Sequence, residues 1–411
     1  MRCPALLLAL SLVALPLSSR AVTIDWALVG HPGNAPDVAT NCGAPSCGSV
    51  AYPYRIARHE VTNAQYAEFL NAKAAADPLE LYDPRMGSDE LAGGITRSGA
   101  PGSYVYELKP GFADKPVMYV SFYDALRFAN WLHNGQGDGD TETGAYTLLG
   151  GTPEPSNGAS VTRNPDAIVF LPSENEWYKA AYGGAGGSWF DFPTRSNAPP
   201  ACVAPDADDG NAANCLPATG VPALADVGSY PLSASPWGTF DQGGGGWEWN
   251  EQIVAPPFRG VRGGGWNTGA THLAASYWVF GVPTEGNDHL TFRVAAVIEC
   301  ADGLDDDGDG LADLDDPGCG TGWIEMPQCQ DGLDNDGQPG IDFDGGASLD
   351  LDGDGFVDAA FNPQMPAVGA PDPECAGQPS RNSERGSCGL GAELALLLPL
   401  LARPRRGRRR A

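Results

Sequence analysis

The sequence predicts a mixed α/β (α+β) domain with little regular secondary structure, followed by an irregular, acidic tail. Three short segments have helical periodicity and capping residues, while the stretches between them are long and rich in Gly (55) and Pro (36). Composition then changes abruptly after Val297. Connections this long need something other than regular hydrogen bonds to hold them, and disulfides or bound calcium would do so.

The three helices are predicted from their first residues. Thr62 or Asn63 can cap the first helix, and Ser121 can cap the second. The third begins at Ser173, where Glu176 three residues later completes a capping box. The apolar faces at helical spacing consist of Tyr66, Phe69 and Leu70; Ala125, Phe128, Ala129 and Leu132; and Trp177, Ala180 and Ala181.

The two ends of the chain have the composition of export and sorting signals. Residues 1–21 begin with a basic residue, continue with an apolar run and end in small residues, which predicts a signal peptide. The alternative is a membrane-spanning helix, but the run falls short of the roughly 20 apolar residues that a helix needs to cross a bilayer. Residues 381–411 contain Cys388, a short apolar run and a terminal arginine cluster, an arrangement that resembles the myxobacterial C-terminal sorting tag. The alternative there is a frayed basic tail.

Eight of the ten cysteines remain once Cys3 and Cys388 are set aside with the two signals. Their clustering predicts local disulfides in an oxidising compartment, and therefore a protein that is exported to the cell surface, to the outer membrane or into the medium. Zinc is the rival interpretation, but the cysteines form no CxxC pair beside histidines. The connectivity stays open; the candidates are Cys42 near Cys47, Cys202 near Cys215, Cys300 near Cys319, and Cys329 and Cys375 at the two ends of one acidic segment.

The charge of the chain limits its partners. The formal net charge is −28 even though the terminal arginines are included. Nucleic acid is therefore excluded as a partner. Membrane contact is expected only through the processed C-terminal signal, so the partner is predicted to be a ligand or protein at the cell surface.

Six sequence blocks between residues 54 and 296 resemble the formylglycine-generating enzyme, or sulfatase-modifying factor, family. The resemblance implies a domain over 22–297 with a C-type-lectin-like fold and little regular secondary structure. Arginines and carboxylates of the blocks are predicted to form buried ion pairs and caps, and the tryptophans to fill the core. The blocks are RHEVTNAQY (58–66), PV and VSFYDA (116–125) leading to WL (131–132), LPSENEW (171–177), WEW (247–249), RGGGW (262–266) and FR (292–293).

The glycine-rich segment 241–248 is a candidate calcium site. Two carboxylates flank glycines whose carbonyls are accessible, and hard oxygen ligands of this kind suit calcium. By resemblance the ligands would be the side chains of Asp241 and Glu248 and the carbonyls of Gly244 and Gly246. The alternative is that Asp241 caps a turn and Glu248 pairs with an arginine.

The sequence departs from the family at the catalytic position. The resemblance implies a reactive cysteine pair just after the RGGGW block, where thiolates would bind copper and react with oxygen and a substrate cysteine. Thr268 and Leu273 stand there instead, with His272 beside them and Trp247 in a neighbouring block. Copper chemistry is therefore not expected. Iron is not expected either, because the five histidines are scattered along the chain.

The segment 298–380 is predicted to be a calcium-binding tail. It contains 21 Asp and Glu residues, and no Lys or Arg occurs between Val294 and Ser380. Alternating aspartates followed by glycine resemble the type 3 calcium repeats of thrombospondin, and a solvated acidic spacer is the alternative. The candidate ligands are Asp305, Asp307, Asp309 and Asp313; Asp334 and Asp336; and Asp350, Asp352, Asp354 and Asp358.

Two functions compete on these observations. The first is an exported surface protein whose domain has lost the family's thiol chemistry and serves as a calcium-dependent binding or structural module. The second is an oxidoreductase of the same superfamily that acts on a protein or small molecule through another metal site. The missing cysteines favour the first.

Overall fold

The computed structural model describes residues 21–38, 46–165, 167–216 and 223–297. Tertiary contacts separate a unit of residues 1–51 and 55–296 from a second unit of residues 52–54 and 297–411. All the elements below belong to the first unit, except for one strand that starts at Tyr54. The described helices are α1 (Asn63–Lys73), α2 (Arg85–Ser88), α3 (Phe122–His133) and α4 (Glu174–Tyr182).

The strands are short, as the sequence predicts. Those described are β1 (Trp26–Val29), β2 (Asp37–Val38), β3 (Ser46–Cys47), β4 (Tyr54–Ala57), β5 (Ile95–Ser98), β6 (Val105–Leu108), β7 (Val169–Phe170), β8 (Ala201–Cys202), β9 (Ala212–Ala213), β10 (Trp247–Ala255), β11 (Phe258–Arg262), β12 (Val279–Gly281), β13 (Leu290–Thr291) and β14 (Ala295–Ala296). Single 3₁₀ turns occur at Gly158–Ser160, Ala185–Gly187, Pro205–Ala207 and Ala270–Leu273.

The three predicted helices are present with the predicted caps. Thr62, Ser121 and Ser173 are the N-caps of α1, α3 and α4, and each closes a reciprocal capping box with the residue three positions later. Capping depends on neighbours in the chain, which is why the sequence locates these helix starts. The short helix α2 has no side-chain cap and was not predicted.

Two four-stranded sheets organise the unit. The first has the order β1-β4-β14-β7, with β14 antiparallel to β4 and β7. The second has the order β12-β11-β10-β13, in which β10 and β11 form the long antiparallel pair and β13 runs parallel to β10. This second sheet includes WEW and the first residue of the RGGGW block, Arg262, so it supports the candidate site.

An aromatic core joins α1 and α3. The rings of Phe69, Phe128 and Trp131 lie 5.3–5.8 Å apart, centroid to centroid, and Phe292 packs on Phe128 at 5.4 Å. Each of these side chains is almost fully buried. Edge-to-face and tilted pairs of this kind add to the apolar burial that holds the two helices together.

The coarse fold prediction is confirmed, because the described residues form a mixed helix-and-strand domain whose regular elements are short. No helix among them is long and apolar enough to cross a membrane. Several predictions concern residues outside the described ranges: most of the signal peptide 1–21, Cys42, the tail cysteines Cys300, Cys319, Cys329 and Cys375, the tail aspartates between Asp305 and Asp358, and Cys388.

Candidate functional site

The glycine-rich segment 241–248 folds into a tight loop that enters β10. Asp241 has a left-handed backbone conformation (φ 60°), which Asp tolerates better than most residues. Gly244 has φ 98°, and a Cβ there would lie 2.5 Å from the carbonyl oxygen of Asn214. Only glycine fits this position, because the neighbouring backbone approaches so closely.

Glu248 at the end of this loop forms a buried ion pair with Arg293. Its Oε2 accepts from Arg293 Nε at 2.6 Å and from Trp177 Nε1 at 2.7 Å, while its Oε1 accepts from Arg293 Nη2 at 2.8 Å. Both side chains of the pair are fully buried. The alternative interpretation, in which Glu248 pairs with an arginine, therefore describes this residue.

Two further carboxylates surround the same arginine. The Glu60 side chain is buried, its Oε1 accepts from the Gly246 amide at 3.3 Å, and its Oε2 has no hydrogen-bond partner among the residues that the structure describes. Burial, with Asp241 and Glu248 nearby, raises the pKa of Glu60 well above its ordinary value. Burial also raises the pKa of Asp241 to about 6, although its Oδ2 accepts from the Gly228 amide at 2.6 Å.

A calcium site that uses Glu248 does not fit this geometry. The Glu248 oxygens are engaged by Arg293 and Trp177, and a guanidinium in direct contact repels a second cation. Among the described residues, no group of three or more His, Cys, Asp or Glu side chains is placed to hold a metal ion. Calcium bound by Asp241 and the carbonyls of Gly244 and Gly246 stays a prediction.

Thr268 and Leu273, which are predicted to stand in place of the family's cysteine pair, have structural roles. Thr268 Oγ1 accepts from the Gly265 amide and donates to the Gly265 carbonyl, both at 2.9 Å, so it closes a turn. Leu273 is fully buried in an apolar cluster with Phe192, Ala213 and Cys215. Neither side chain can supply a soft ligand, and the residues present do not fit a copper–thiolate centre.

His272 belongs to a partly exposed aromatic cluster. Its ring lies 4.5 Å from the Tyr277 ring and 6.3 Å from the Trp247 ring, and Trp247 lies 5.9 Å from Tyr277. We call Trp247, His272 and Tyr277 the aromatic cluster. His272 Nδ1 is 3.2 Å from the Gly269 carbonyl oxygen, which fixes the ring against its own turn.

Three other described histidines lie apart from the aromatic cluster, each in its own surroundings. His59 stacks on Phe240 at 5.4 Å, and burial together with the nearby Arg293 lowers the pKa of His59 to about 4. His133 Nδ1 accepts from the Ile168 amide at 3.1 Å, and His289 Nδ1 lies 2.6 Å from Asp288 Oδ1. These three rings each have separate partners.

One predicted disulfide is present in full. Cys202 and Cys215, which are 13 positions apart in the sequence, form a disulfide bond. Both pack in the apolar cluster that contains Leu273, so the covalent link lies beside one of the two positions predicted to replace the family's cysteines. Cys47 is also disulfide-bonded. Its predicted partner, Cys42, lies outside the described residues.

Most of the predicted buried ion pairs are present, and two of the residues predicted to form them, Arg58 and Glu60, do not follow the prediction. Arg262 pairs with Glu174 at 2.5 Å, and Arg163 bridges Glu176 and Glu251 at 2.7 Å each. Arg58 differs, because its pair with Asp25 is partly exposed at 3.2 Å. Glu60 differs too, since no cation contacts its carboxylate directly. Of the five tryptophans predicted to fill the core, Trp131, Trp177, Trp247 and Trp249 are buried and Trp266 is only partly buried.

Fold and site together define a mixed helix-and-strand domain with few regular elements, braced by buried arginine–carboxylate pairs. A family model for the sulfatase-modifying factor enzyme 1-like domain matches residues 29–298, more than half of the chain, and the chain belongs to this family. This confirms the resemblance carried by the six sequence blocks.

Individual relatives are more distant. The chain is 27% identical to hercynine oxygenase of Mycolicibacterium smegmatis over 216 residues, which cover 49% of this chain and 38% of that protein. Among solved structures, CarF is 21% identical with a TM-score of 0.45, covering 67% of this chain and 99% of that one. PvdO from Pseudomonas aeruginosa is 19% identical with a TM-score of 0.38, covering 66% and 91%.

Sequence reasoning missed two features of the site. The sequence predicts only an ion-pair or cap role for Glu60, and the structure instead brings it beside Asp241, Glu248 and Arg293. Tyr277 was not singled out at all, although it completes the aromatic cluster. Glu60 lies in the RHEVTNAQY block, and its place in that block is a sequence signal that it has a role in the site. No pattern in the sequence indicates that Tyr277 meets Trp247, which is 30 positions away.

Proposed function

We propose that this protein is an exported, non-catalytic binding or structural module of the sulfatase-modifying factor family, displayed at the cell surface on an acidic, calcium-binding tail that precedes the C-terminal sorting signal. The observation that carries the proposal is the state of Thr268 and Leu273. One closes a turn on Gly265 and the other is fully buried in the core. Thiol and copper chemistry has no side chain to use at this position.

The aromatic cluster supports a binding role. Trp247 is buried, whereas Tyr277 is 36% exposed and His272 is partly exposed. Rigid aromatic side chains present a large contact area and lose little conformational entropy when they bind a partner. We infer that a surface ligand binds over this cluster, next to the position where the family's chemistry would occur.

Metal content and a peptide assay test the absence of the family's activity. We expect calcium in the purified full-length protein and no stoichiometric copper or iron. A sulfatase-type cysteine peptide incubated with the protein and Cu(I) in air should show no aldehyde by mass spectrometry. A family member that retains both cysteines serves as the positive control. Stoichiometric copper or iron together with oxygen uptake would overturn the proposal.

An oxidoreductase is the second candidate, and the relative named hercynine oxygenase is the observation that favours it. The match spans only 38% of that protein, so most of the hercynine oxygenase sequence is not matched by this chain. His59, His133 and His289 each have separate partners in the structure. Oxygen consumption is measured after reconstitution with Fe(II) for the parent protein and for a His272→Ala variant. Consumption by the parent that the variant loses supports the oxidoreductase, and no consumption by the parent supports the non-catalytic module.

A further inference from the structure

A concave site lies apart from the aromatic cluster. It is an open cavity of about 860 Å³ that is walled by Tyr82, Tyr104, Tyr119 and Tyr123. Its size falls in the range of small-molecule sites, roughly 300–1,000 Å³. We call it the tyrosine cleft. None of its lining residues belongs to the aromatic cluster or to the glycine-rich loop.

Both arginines of the tyrosine cleft are already neutralised. Arg97 lies between two tyrosine rings, with its guanidinium carbon 4.4 Å from the Tyr104 centroid and 4.7 Å from the Tyr82 centroid, and it pairs with Asp77 at 3.1 Å. Arg85 pairs with Asp83 at 2.5 Å. An anionic ligand therefore finds no unpaired cation among the lining residues.

Three carboxylates of the tyrosine cleft are not paired with a cation in the described part of the chain. Glu80, Glu154 and Glu285 line it and are exposed, and no hydrogen bond or ion pair engages their side chains in the described part of the chain. The remaining lining carboxylate, Asp124, caps α3 and lies 3.8 Å from Arg127. The cleft therefore has a surplus of negative charge from three groups.

Tyr123 supplies an independent sign of a ligand. Its side chain lines the cleft, is 1% exposed, and its hydroxyl has no hydrogen-bond partner among the described residues. Buried hydroxyl groups are nearly always satisfied, so an unsatisfied one in a cavity wall calls for a partner. An ammonium group, which only donates hydrogen bonds, would satisfy the phenol oxygen.

We propose that the tyrosine cleft binds a linear oligoamine, a small organic cation with two or three ammonium groups on a methylene chain. Ammonium groups would pair with Glu80, Glu154 and Glu285, and the methylene segments would pack on the tyrosine rings, whose amphipathic character suits such a chain. Arg97 stacks between Tyr82 and Tyr104, so tyrosine rings of this wall already bind a cation of the chain itself, and ring faces of this kind also attract ligand cations.

Photo-crosslinking with a diazirine derivative of spermidine tests this on the full-length protein, with labelled peptides mapped by mass spectrometry. We expect labelling of residues 76–85, 119–124, 153–154 and 284–287. Glu80→Gln/Glu154→Gln should reduce that labelling at least about fivefold, because two of three ion pairs are lost. The Asp-rich segment 298–380 attracts any polycation, so its labelling serves as an internal reference that the double variant leaves unchanged.

Two controls make the outcome decisive. Glu107→Gln removes an exposed carboxylate from β6, outside the cleft, and should leave cleft labelling unchanged. A neutral diazirine-bearing glycol of similar length should not label the cleft. Labelling confined to 298–380, equal labelling of the double variant, or equal labelling by the glycol would each overturn the proposal. None of these results depends on whether the protein has catalytic activity.

Discussion

Replacing Arg293 with Met is expected to lower the free energy of unfolding by about 3–5 kcal/mol, the usual penalty when one partner of a buried ion pair is removed. All five N–H donors of Arg293 are used: two bind Glu248, and the others reach the carbonyls of Ala57, Arg58 and Phe240 at 2.9–3.0 Å. The substitution leaves Glu248, Glu60 and Asp241 without the cation they share. Urea unfolding followed by tryptophan fluorescence measures the loss.

Arg195→Met is the matched control for this prediction. Arg195 is exposed and forms no side-chain hydrogen bond or ion pair within the described ranges, so its replacement should change stability by no more than about 0.5 kcal/mol. Combining Arg293→Met with Glu248→Gln should destabilise less than the two single changes added together, because they remove the same pair. Strict additivity would mean that Arg293 and Glu248 do not act as a pair.

The sequence predicts those parts of the fold that depend on near neighbours. Thr62, Ser121 and Ser173 each cap a helix through the residue three positions later, and all three caps are present. The Cys202–Cys215 disulfide joins residues that are close in the chain, and the spacing predicts it. The six blocks were sufficient to identify the family, because their order and composition together are specific.

The site could not be predicted to the same extent, because it depends on contacts between distant residues. Arg293 pairs with Glu248, 45 positions away, and also reaches the carbonyl of Ala57, 236 positions away. The sequence leaves open whether Glu248 holds calcium or an arginine, since both use the same carboxylate. The tyrosine cleft is similar, because it joins loops around residues 80, 120, 154 and 285 that share no local pattern.

The second large effect concerns pH and Asp124, the buried capping-box residue of α3. Burial raises the pKa of Asp124 to about 6, against opposing hydrogen bonds from Ser121 and the charge of Arg127. The folded state therefore holds a proton on Asp124 more tightly than the unfolded chain does. Its contribution to stability is complete below the unfolded pKa, near 3.8, and is lost as the pH rises through 6. The loss is on the order of 2–3 kcal/mol.

Asp124→Asn should remove this pH dependence. Asparagine keeps an acceptor oxygen for the Ser121 amide but carries no charge at any pH, and Arg127 retains its 2.6 Å pair with Glu142. The free energy of unfolding of the variant, relative to the parent protein, should rise by that 2–3 kcal/mol from pH 4.5 to pH 8 in urea titrations. A difference between variant and parent that stays constant over this range would contradict the assignment.

Asp140→Asn provides a control of opposite sign. Hydrogen bonds from the Glu142 amide and the Thr143 hydroxyl lower the pKa of Asp140, so its carboxylate stabilises the fold above its unfolded pKa and loses that contribution as the pH falls. The variant should therefore lose stability relative to the parent at neutral pH and recover it in acid. The chemical substitution is the same in both variants. If the free energy of unfolding relative to the parent changes with pH in opposite directions, the effect of burying a charge at Asp124 is therefore distinguished from the effect of hydrogen bonds to a charge at Asp140.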